Sequence, residues 1–272
     1  MATARIDIDH CTGPVPLRTP FGGRSDDRQP GVPASHVGNP AANRAGNRNG
    51  VLDIASHYAI DRRFVPAGTE LFAEGETSDN LYIVLEGWLF QHRILEDGRR
   101  QILDFALPGS VIGYRAHPQT PFAFSAEAIT NAKVAIVPLN RVSDMIRSGS
   151  ECALTLLEAA NEALPGAFDT LTDIGRRTAR ESIAHFLLRM DRRIRRCTGS
   201  DGQGGLPFPL SQEHIGDALG LTSVHVCRTL SKLRSEGLVE TGRGRLRIVD
   251  IDALSEDAGV AAPEAGDLRL AS

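Results

Sequence analysis

Cysteine is scarce in this 272-residue chain: Cys11, Cys152, Cys197 and Cys227 lie far apart, and no two form a CxxC pair. That excludes a disulfide framework and a thiolate metal site, and it fits a reduced compartment. Long apolar runs are also missing. None approaches the roughly 20 residues that cross a bilayer, and the N-terminus lacks the apolar core of a secretory signal. The expectation is a cytoplasmic protein with no membrane partner. Catalytic signatures are absent as well. No H-x-H pair exists for a cupin-like metal oxygenase, and no Ser/His/Asp or phosphate-loop pattern is visible, so a non-enzyme is expected. Nor is there an excess of basic charge: 30 Lys and Arg stand against 34 Asp and Glu, for a net charge of -4. Taken as an average, that balance argues against a polyanionic partner.

The average hides a pattern. Between Gly175 and Arg196 there are eight arginines against Glu181 and Asp191. Between Thr222 and Arg247 there are six Lys or Arg against Glu236 and Glu240, and the compensating acids sit partly in the tail after Ile248. Basic charge is thus concentrated in the last third, where it can meet phosphate.

Composition and periodicity divide the chain. Residues 1–50 are rich in Gly, Pro, Asn and Arg and read as a disordered extension. From Arg63 to Pro138 short β-rich stretches alternate with Gly68, Gly75, Gly87, Gly98, Gly109 and Gly113, the spacing of a sandwich or barrel over 51–149. After Pro138 the period becomes helical. Leu154, Leu157, Asn161, Leu164, Phe168 and Leu171 are spaced 3, 4, 3, 4, 3, a heptad seam over 150–174 that predicts a partner helix of the same kind. Packing of that stripe on the chain's own barrel is the alternative. Asn161 is a polar seam position able to fix register, and Pro165-Gly166 inside the seam should kink or interrupt the helix. A second amphipathic helix follows (Ile183, Phe186, Leu187, Met190, Ile194), then a glycine-rich loop from Thr198 to Gly205.

The segment 175–254 carries the most specific signal. Ser211 is a good N-cap for a helix with the apolar face Ile215, Ala218 and Leu219. Gly220 supplies a tight turn, and Thr222 or Ser223 caps a second helix that buries Val226, Leu230 and Leu233. Two short helices around a glycine turn form a helix-turn-helix, whose second helix enters the major groove of double-stranded DNA. Downstream, Leu238–Val249 reads as two strands around Gly242-Arg243-Gly244, a basic wing. Residues 255–272 read as a disordered tail. The fold expected is α+β: a jelly-roll barrel, a long dimerisation helix and a winged helix-turn-helix. The DNA-binding candidates are Ser211, Gln212, Ser223, Val224, His225, Cys227, Arg228, Ser231, Lys232 and Arg243. A scaffold that uses the barrel only to hold another protein is the rival, and the basic helix-turn-helix speaks against it.

From about residue 51 to 254 the chain resembles the Crp/Fnr family of bacterial transcription regulators. Pro66-Ala-Gly68-Thr-Glu-Leu71-Phe72 through Asp79-Asn-Leu81-Tyr82-Ile83-Val84-Leu85-Glu86-Gly87 is similar to that family's cyclic-nucleotide-binding-type barrel, and the helix-turn-helix is its second mark. Pro108-Gly-Ser-Val-Ile-Gly113 matches the turn before the family's ligand pocket. The resemblance implies a homodimer on a palindromic site, a signal at the barrel that repositions the DNA-binding pair, and an encounter with RNA polymerase that recruits or blocks it. The departures matter. Nucleotide-responsive relatives carry Gly-Glu and Arg-Ser where this chain has Gly113-Tyr114 and Phe124-Ser125, so the effector-pocket candidates lack the arginine that neutralises a cyclic phosphate. Tight cAMP binding is not expected, and Arg115 is the one possible substitute. Cys11 alone cannot hold an iron-sulfur cluster. His57, His92 and His117 are isolated, and read as surface or core residues rather than haem ligands. No cofactor is expected, and the pattern is closest to the FixK-like branch.

In the recognition helix, relatives' Glu-x-x-Ser-Arg is replaced by Val224-His225-Val226-Cys227-Arg228. Arg228 is the first choice for a bidentate contact to guanine, and Val224 can pack on a thymine methyl. Cys227, beside Arg228 and near His225, is a possible redox site, where oxidation would set an acid against DNA phosphates.

Overall fold

The protein was analysed as a computed structural model that describes residues 43–115, 117–200, 202 and 204–261. Glycine-punctuated strands close into two four-stranded antiparallel sheets. One has the order β1 (Asp61–Val65), β8 (Ala132–Pro138), β3 (Asn80–Glu86), β6 (Val111–Ile112). The other runs β2 (Glu70–Phe72), β7 (Ser125–Ala128), β4 (Leu89–Ile94), β5 (Arg100–Ala106). Glycine is required at position 87, where φ is 81° and a Cβ would lie 2.4 Å from the Asn131 carbonyl oxygen. The alternation in β3 serves two cores. Tyr82 and Val84 point between the sheets with Leu71, Phe72 and Ile112, while Leu81 and Ile83 point outward under a helix.

That helix is α1 (Asn43–Tyr58), which lays Val51, Ile54 and Ala55 on the outer face of β3 and β8. It begins inside the segment expected to be without structure. The composition of residues 43–50 is poor for a helix, but the apolar triad that follows is anchored on the barrel and carries the preceding turns with it. The rest of the extension, with Cys11, lies outside the described residues. Helix α2 (Leu139–Arg147) leads into α3 (Glu151–Gly175), capped by Ser150, whose side chain accepts the Cys152 N–H.

The expected interruption at Pro165 does not occur: α3 is helical over all 25 residues. Proline removes the donor for the Asn161 carbonyl, but both residues lie on the exposed side, where water can replace it. The following carbonyl, Gly166, accepts from Thr170 Oγ1 (3.0 Å) and from Arg189 Nη1 (2.7 Å).

The C-terminal third comprises α4 (Ala179–Thr198), β9 (Leu206–Pro207), α5 (Gln212–Leu219), α6 (Ser223–Ser235), β10 (Val239–Gly242), β11 (Arg245–Ile248) and α7 (Ile251–Asp257). Strand β9, unsuspected in the glycine-rich loop, pairs with β11 and makes the wing a three-stranded sheet in the order β10-β11-β9. The stretch read as a tail begins in α7, which buries Leu254 and Ser255; residues 262–272 lie outside the described residues. Barrel and helix-turn-helix share one apolar core. Trp88, Phe90 and Ile102 on the outer face of β4–β5 pack with Ile183, Phe186 and Leu187 of α4 and Ile215 of α5. Two sequence segments read as separate domains are therefore joined by burial of large side chains, each worth about 1.5–3 kcal/mol.

Candidate nucleic-acid interface

Local sequence chemistry places the two helices. The Ser211 hydroxyl accepts the His214 N–H at 3.1 Å, and His214 Nδ1 accepts the Ser211 N–H at 3.2 Å, a reciprocal cap. Gly220 ends α5 in the left-handed region at φ 68°. A Cβ at Gly216 would lie 2.5 Å from the Leu221 carbonyl oxygen, so the tight turn requires glycine on both sides. Thr222, of the two candidates, caps α6: its hydroxyl accepts the His225 N–H at 3.3 Å.

Helix α6 is anchored by Val226, Leu230 and Leu233, all buried. Its other face presents Ser223, Val224, His225, Arg228, Ser231 and Lys232 to solvent, with Val224 57 % exposed. Cys227 is half-buried and free at the flank of this face. Ser211 and Gln212 are exposed at the start of α5. An open depression beside α6 is lined by Thr222, Val224, His225, Arg228, Thr229 and Lys232, with Arg180 of α4 at its edge. Thr229 and Arg180 were not among the sequence candidates; Arg180 lies more than a domain's worth of loop away, and no spacing rule could have linked it. A second depression lies at the wing, where Arg243 occupies the tip at φ 51° beside Arg245 and Arg247.

The arginines divide sharply by use. Arg228 and Arg243 make no hydrogen bond or ion pair with the described residues. Arg245 donates to the Gly205 carbonyl (3.0 Å), Arg247 pairs with Glu240 (2.5 Å), and Arg234 reaches Ser231 and the Thr241 carbonyl. In the arginine-rich stretch, Arg177 binds Asp173 (2.5 Å), Arg193 binds Asp104 (2.5 Å) and Arg195 binds Asp191 (2.6 Å). Arg180 binds Glu236 (2.5 Å) and Asp257, which hold its charge on more firmly than in water. The expectation that this cluster faces phosphate is therefore corrected for these four. Their acids lie on strands and helices remote in sequence, and the pairs knit α4 to the barrel and to α6 and α7.

The contact between α5 and the barrel is ionic at its edge. Arg100 of β5 donates to Asp217 (2.8 Å) and lies 3.4 Å from Glu213. Its guanidinium sits 5.0 Å from the Phe90 ring centre, and Phe90 is flanked by the rings of His92 and His214. Burial pushes the pKa of both histidines down, and the charge of Arg100 adds to the effect. His92 is a core residue, 4 % exposed.

The pocket candidates are not assembled around a cavity. A Cβ at Gly113 would lie 3.1 Å from the Phe122 ring and 3.4 Å from that of Tyr82, and Phe122 stacks on Phe72 with centroids 3.8 Å apart. Tyr114 turns away and donates to the Leu156 carbonyl on α3 (3.0 Å). Ser125 accepts the Glu74 N–H, and Phe124 packs at the edge of Phe72. Arg115 lies over Phe122 (3.8 Å) and donates to the Ser78 and Asn80 carbonyls at 2.6 and 2.8 Å. Aromatic rings fill the space a nucleotide needs, and the one nearby guanidinium is engaged, so these residues do not fit a cyclic nucleotide. Among the described residues, no three His, Cys, Asp or Glu side chains are grouped to hold a metal.

The seam of α3 is uncovered. Leu154, Leu157, Leu164, Phe168 and Leu171 are 51–67 % exposed, and Asn161 is exposed among them. The opposite face carries Leu156, which packs with α1. Of the two uses the heptad pattern allowed, packing of the stripe on the chain's own barrel is not the one observed.

Comparison with known proteins gives a consistent picture. The cyclic nucleotide-binding domain family matches residues 62–148, and the Crp-like helix-turn-helix domain family matches residues 181–257. The transcriptional activatory protein AadR of Rhodopseudomonas palustris is 33 % identical over 214 residues, covering 76 % of this chain and 87 % of AadR. The nitrogen fixation regulation protein FixK of Bradyrhizobium diazoefficiens is 34 % identical over 185 residues, or 68 % of this chain and 76 % of FixK. The solved structure of FixK2 from Bradyrhizobium japonicum superposes with a TM-score of 0.67 at 32 % identity, covering 74 % of this chain and 98 % of that one.

Proposed function

Because the chain belongs to the Crp/Fnr family of transcriptional regulators, in its FixK-like branch, we propose that it is a cytoplasmic, sequence-specific activator that binds a palindromic promoter site as a homodimer. The observation that carries this reading is the outward face of α6, where Arg228 stands unpaired beside exposed Val224 and His225. An unpaired guanidinium on the first turns of a recognition helix is suited to the two acceptors of guanine, and the valine to a thymine methyl. Ser211, Gln212, Ser223, Ser231, Lys232 and Arg243 supply phosphate contacts that set the register. The α3 seam joins two subunits, with Asn161 pairing across the axis. RNA polymerase is the protein partner, and the chain is not an enzyme.

The barrel works without cyclic nucleotide, haem or iron-sulfur cluster, because its interior is filled by Phe72, Phe122 and Tyr82 and no grouped donor set is available among the described residues. Oxidation of Cys227, half-buried at the edge of the DNA face, gives a route by which redox state weakens binding. Selection of bound duplexes from a random pool, with reduced protein and no added effector, tests the whole reading. Enrichment of a palindrome with half-sites about one helical turn apart is expected. Failure to enrich any sequence refutes effector-independent binding.

A further inference from the structure

The dimer helix α3 has a weak point and a strong one, and they lie close together. At Pro165 the backbone carries no N–H, so the Asn161 carbonyl lacks its helical donor and the ring crowds it. Gly166 follows, with open space where a Cβ would be. Bending is therefore easiest across 161–166.

From Gly166 onward, α3 is held by α4. Arg189 donates from Nη1 to the Gly166 carbonyl at 2.7 Å, and both of its terminal nitrogens reach Thr170 Oγ1, at 3.1 and 3.2 Å. The same guanidinium lies 3.5 Å from Oδ2 of Asp173, whose side chain is fully buried. Oδ1 of Asp173 takes Arg177 (2.5 Å) and His185 Nδ1 (2.8 Å). The short connection between α3 and α4 is fixed at both ends. The Arg176 N–H bonds the Thr172 carbonyl (3.0 Å), and Thr178 and Glu181 form a reciprocal cap. The joint that chain connectivity suggests, between the two helices, is thus the rigid one.

We propose that Arg189 and Asp173 are positioning residues that weld the last turns of α3 to the DNA-binding module, so that the module swivels about Pro165–Gly166 and thereby sets which half-site spacings the dimer accepts. This rests on the dimer reading above. The first half of α3 stays with α1 and the barrel through Leu156 and Ala159. The apolar face of α4 and α5 on the barrel keeps the swivel small. One added base pair moves a half-site by about 3.4 Å and turns it by roughly 35°. A stiff dimer must pay for that by twisting DNA, whereas a jointed one absorbs part of it.

The test uses the full chain and duplexes carrying the selected half-sites at the preferred spacing and at one base pair more or less. Sedimentation first establishes the subunit count; a monomer on DNA overturns the dimer reading and this proposal with it. Given a dimer, Pro165→Ala, an exposed and helix-favouring change, is expected to leave the half-site sequence and the best affinity unchanged. Its affinity at the altered spacings should fall about tenfold further than that of the unmodified protein. Arg189→Ala is expected to do the reverse and flatten the spacing profile. Because loss of Arg189 leaves Asp173 less compensated and can disturb folding, Pro165→Ala is decisive. A Pro165→Ala dimer whose spacing profile superposes on that of the unmodified protein overturns the proposal.

Discussion

Truncation of Phe168 tests the uncovered seam most directly. In the isolated subunit its side chain is 62 % exposed, so Phe168→Ala removes little that supports the fold. In a dimer the exposed part is covered by the partner helix. Full burial of such a side chain is worth about 1.5–3 kcal/mol, and the fraction still exposed corresponds to about 1–2 kcal/mol per copy. A two-fold axis removes two copies at once, or about 2–4 kcal/mol. The dimer dissociation constant should then rise roughly 30- to 1,000-fold. Sedimentation equilibrium reads this constant, and far-UV circular dichroism checks that the helices remain. A shift of less than about threefold, with folding intact, would refute the argument that this face is the subunit interface.

Acid should loosen the seat of α5 on the barrel. Burial, with Arg100 adding to it, holds the pKa of His92 and His214 below 6.5, so the unfolded chain binds more protons than the folded one below that pH. Stability is therefore complete above about pH 6.5 and declines as pH falls through and beyond it, and a His92→Gln/His214→Gln protein should show a shallower loss in thermal melts between pH 7.5 and 5.5. An unchanged slope would mean that other groups dominate the acid response. Arg228→Lys keeps the charge but loses the planar fork, and should cost about 1–3 kcal/mol of discrimination at the guanine of each half-site, read by competition with single-base variants. Arg243→Ala should weaken binding to all sequences alike and lower the salt slope by about 2 for a dimer, one phosphate per subunit; a sequence-selective loss would place Arg243 on a base instead.

Much of the architecture was legible because local chemistry and burial agree. The caps at Ser211 and Thr222, the turn at Gly220 and the buried triad Val226, Leu230 and Leu233 all follow from side-chain type at helical spacing. The strands between Arg63 and Pro138 were legible from their glycines. What escaped was set by tertiary contact. Asn43–Gly50 become helical because the next turns dock on β3 and β8, and β9 exists because β11 offers an edge. Proline at 165 is tolerated because its free carbonyl faces water. The shared core through Trp88 and Phe90 could not be read from strands that, taken alone, have one face too many to bury.

The same logic limits what a count of charges says about function. Arginines cluster in α4, yet Arg177, Arg180, Arg193 and Arg195 face acids of their own chain, on β5, α3, α4, α6 and α7. A guanidinium serves this purpose well, since its fork bridges two partners and it stays charged when half-buried. The cost is that those cations are largely neutralised before DNA arrives. Counterion release then falls to a few side chains, chiefly Arg228, Lys232 and Arg243, and half of the binding free energy or more has to come from base edges and shape rather than from bulk charge. That accounts for how a chain of net charge -4 can serve as a sequence-specific binder while remaining a poor non-specific one.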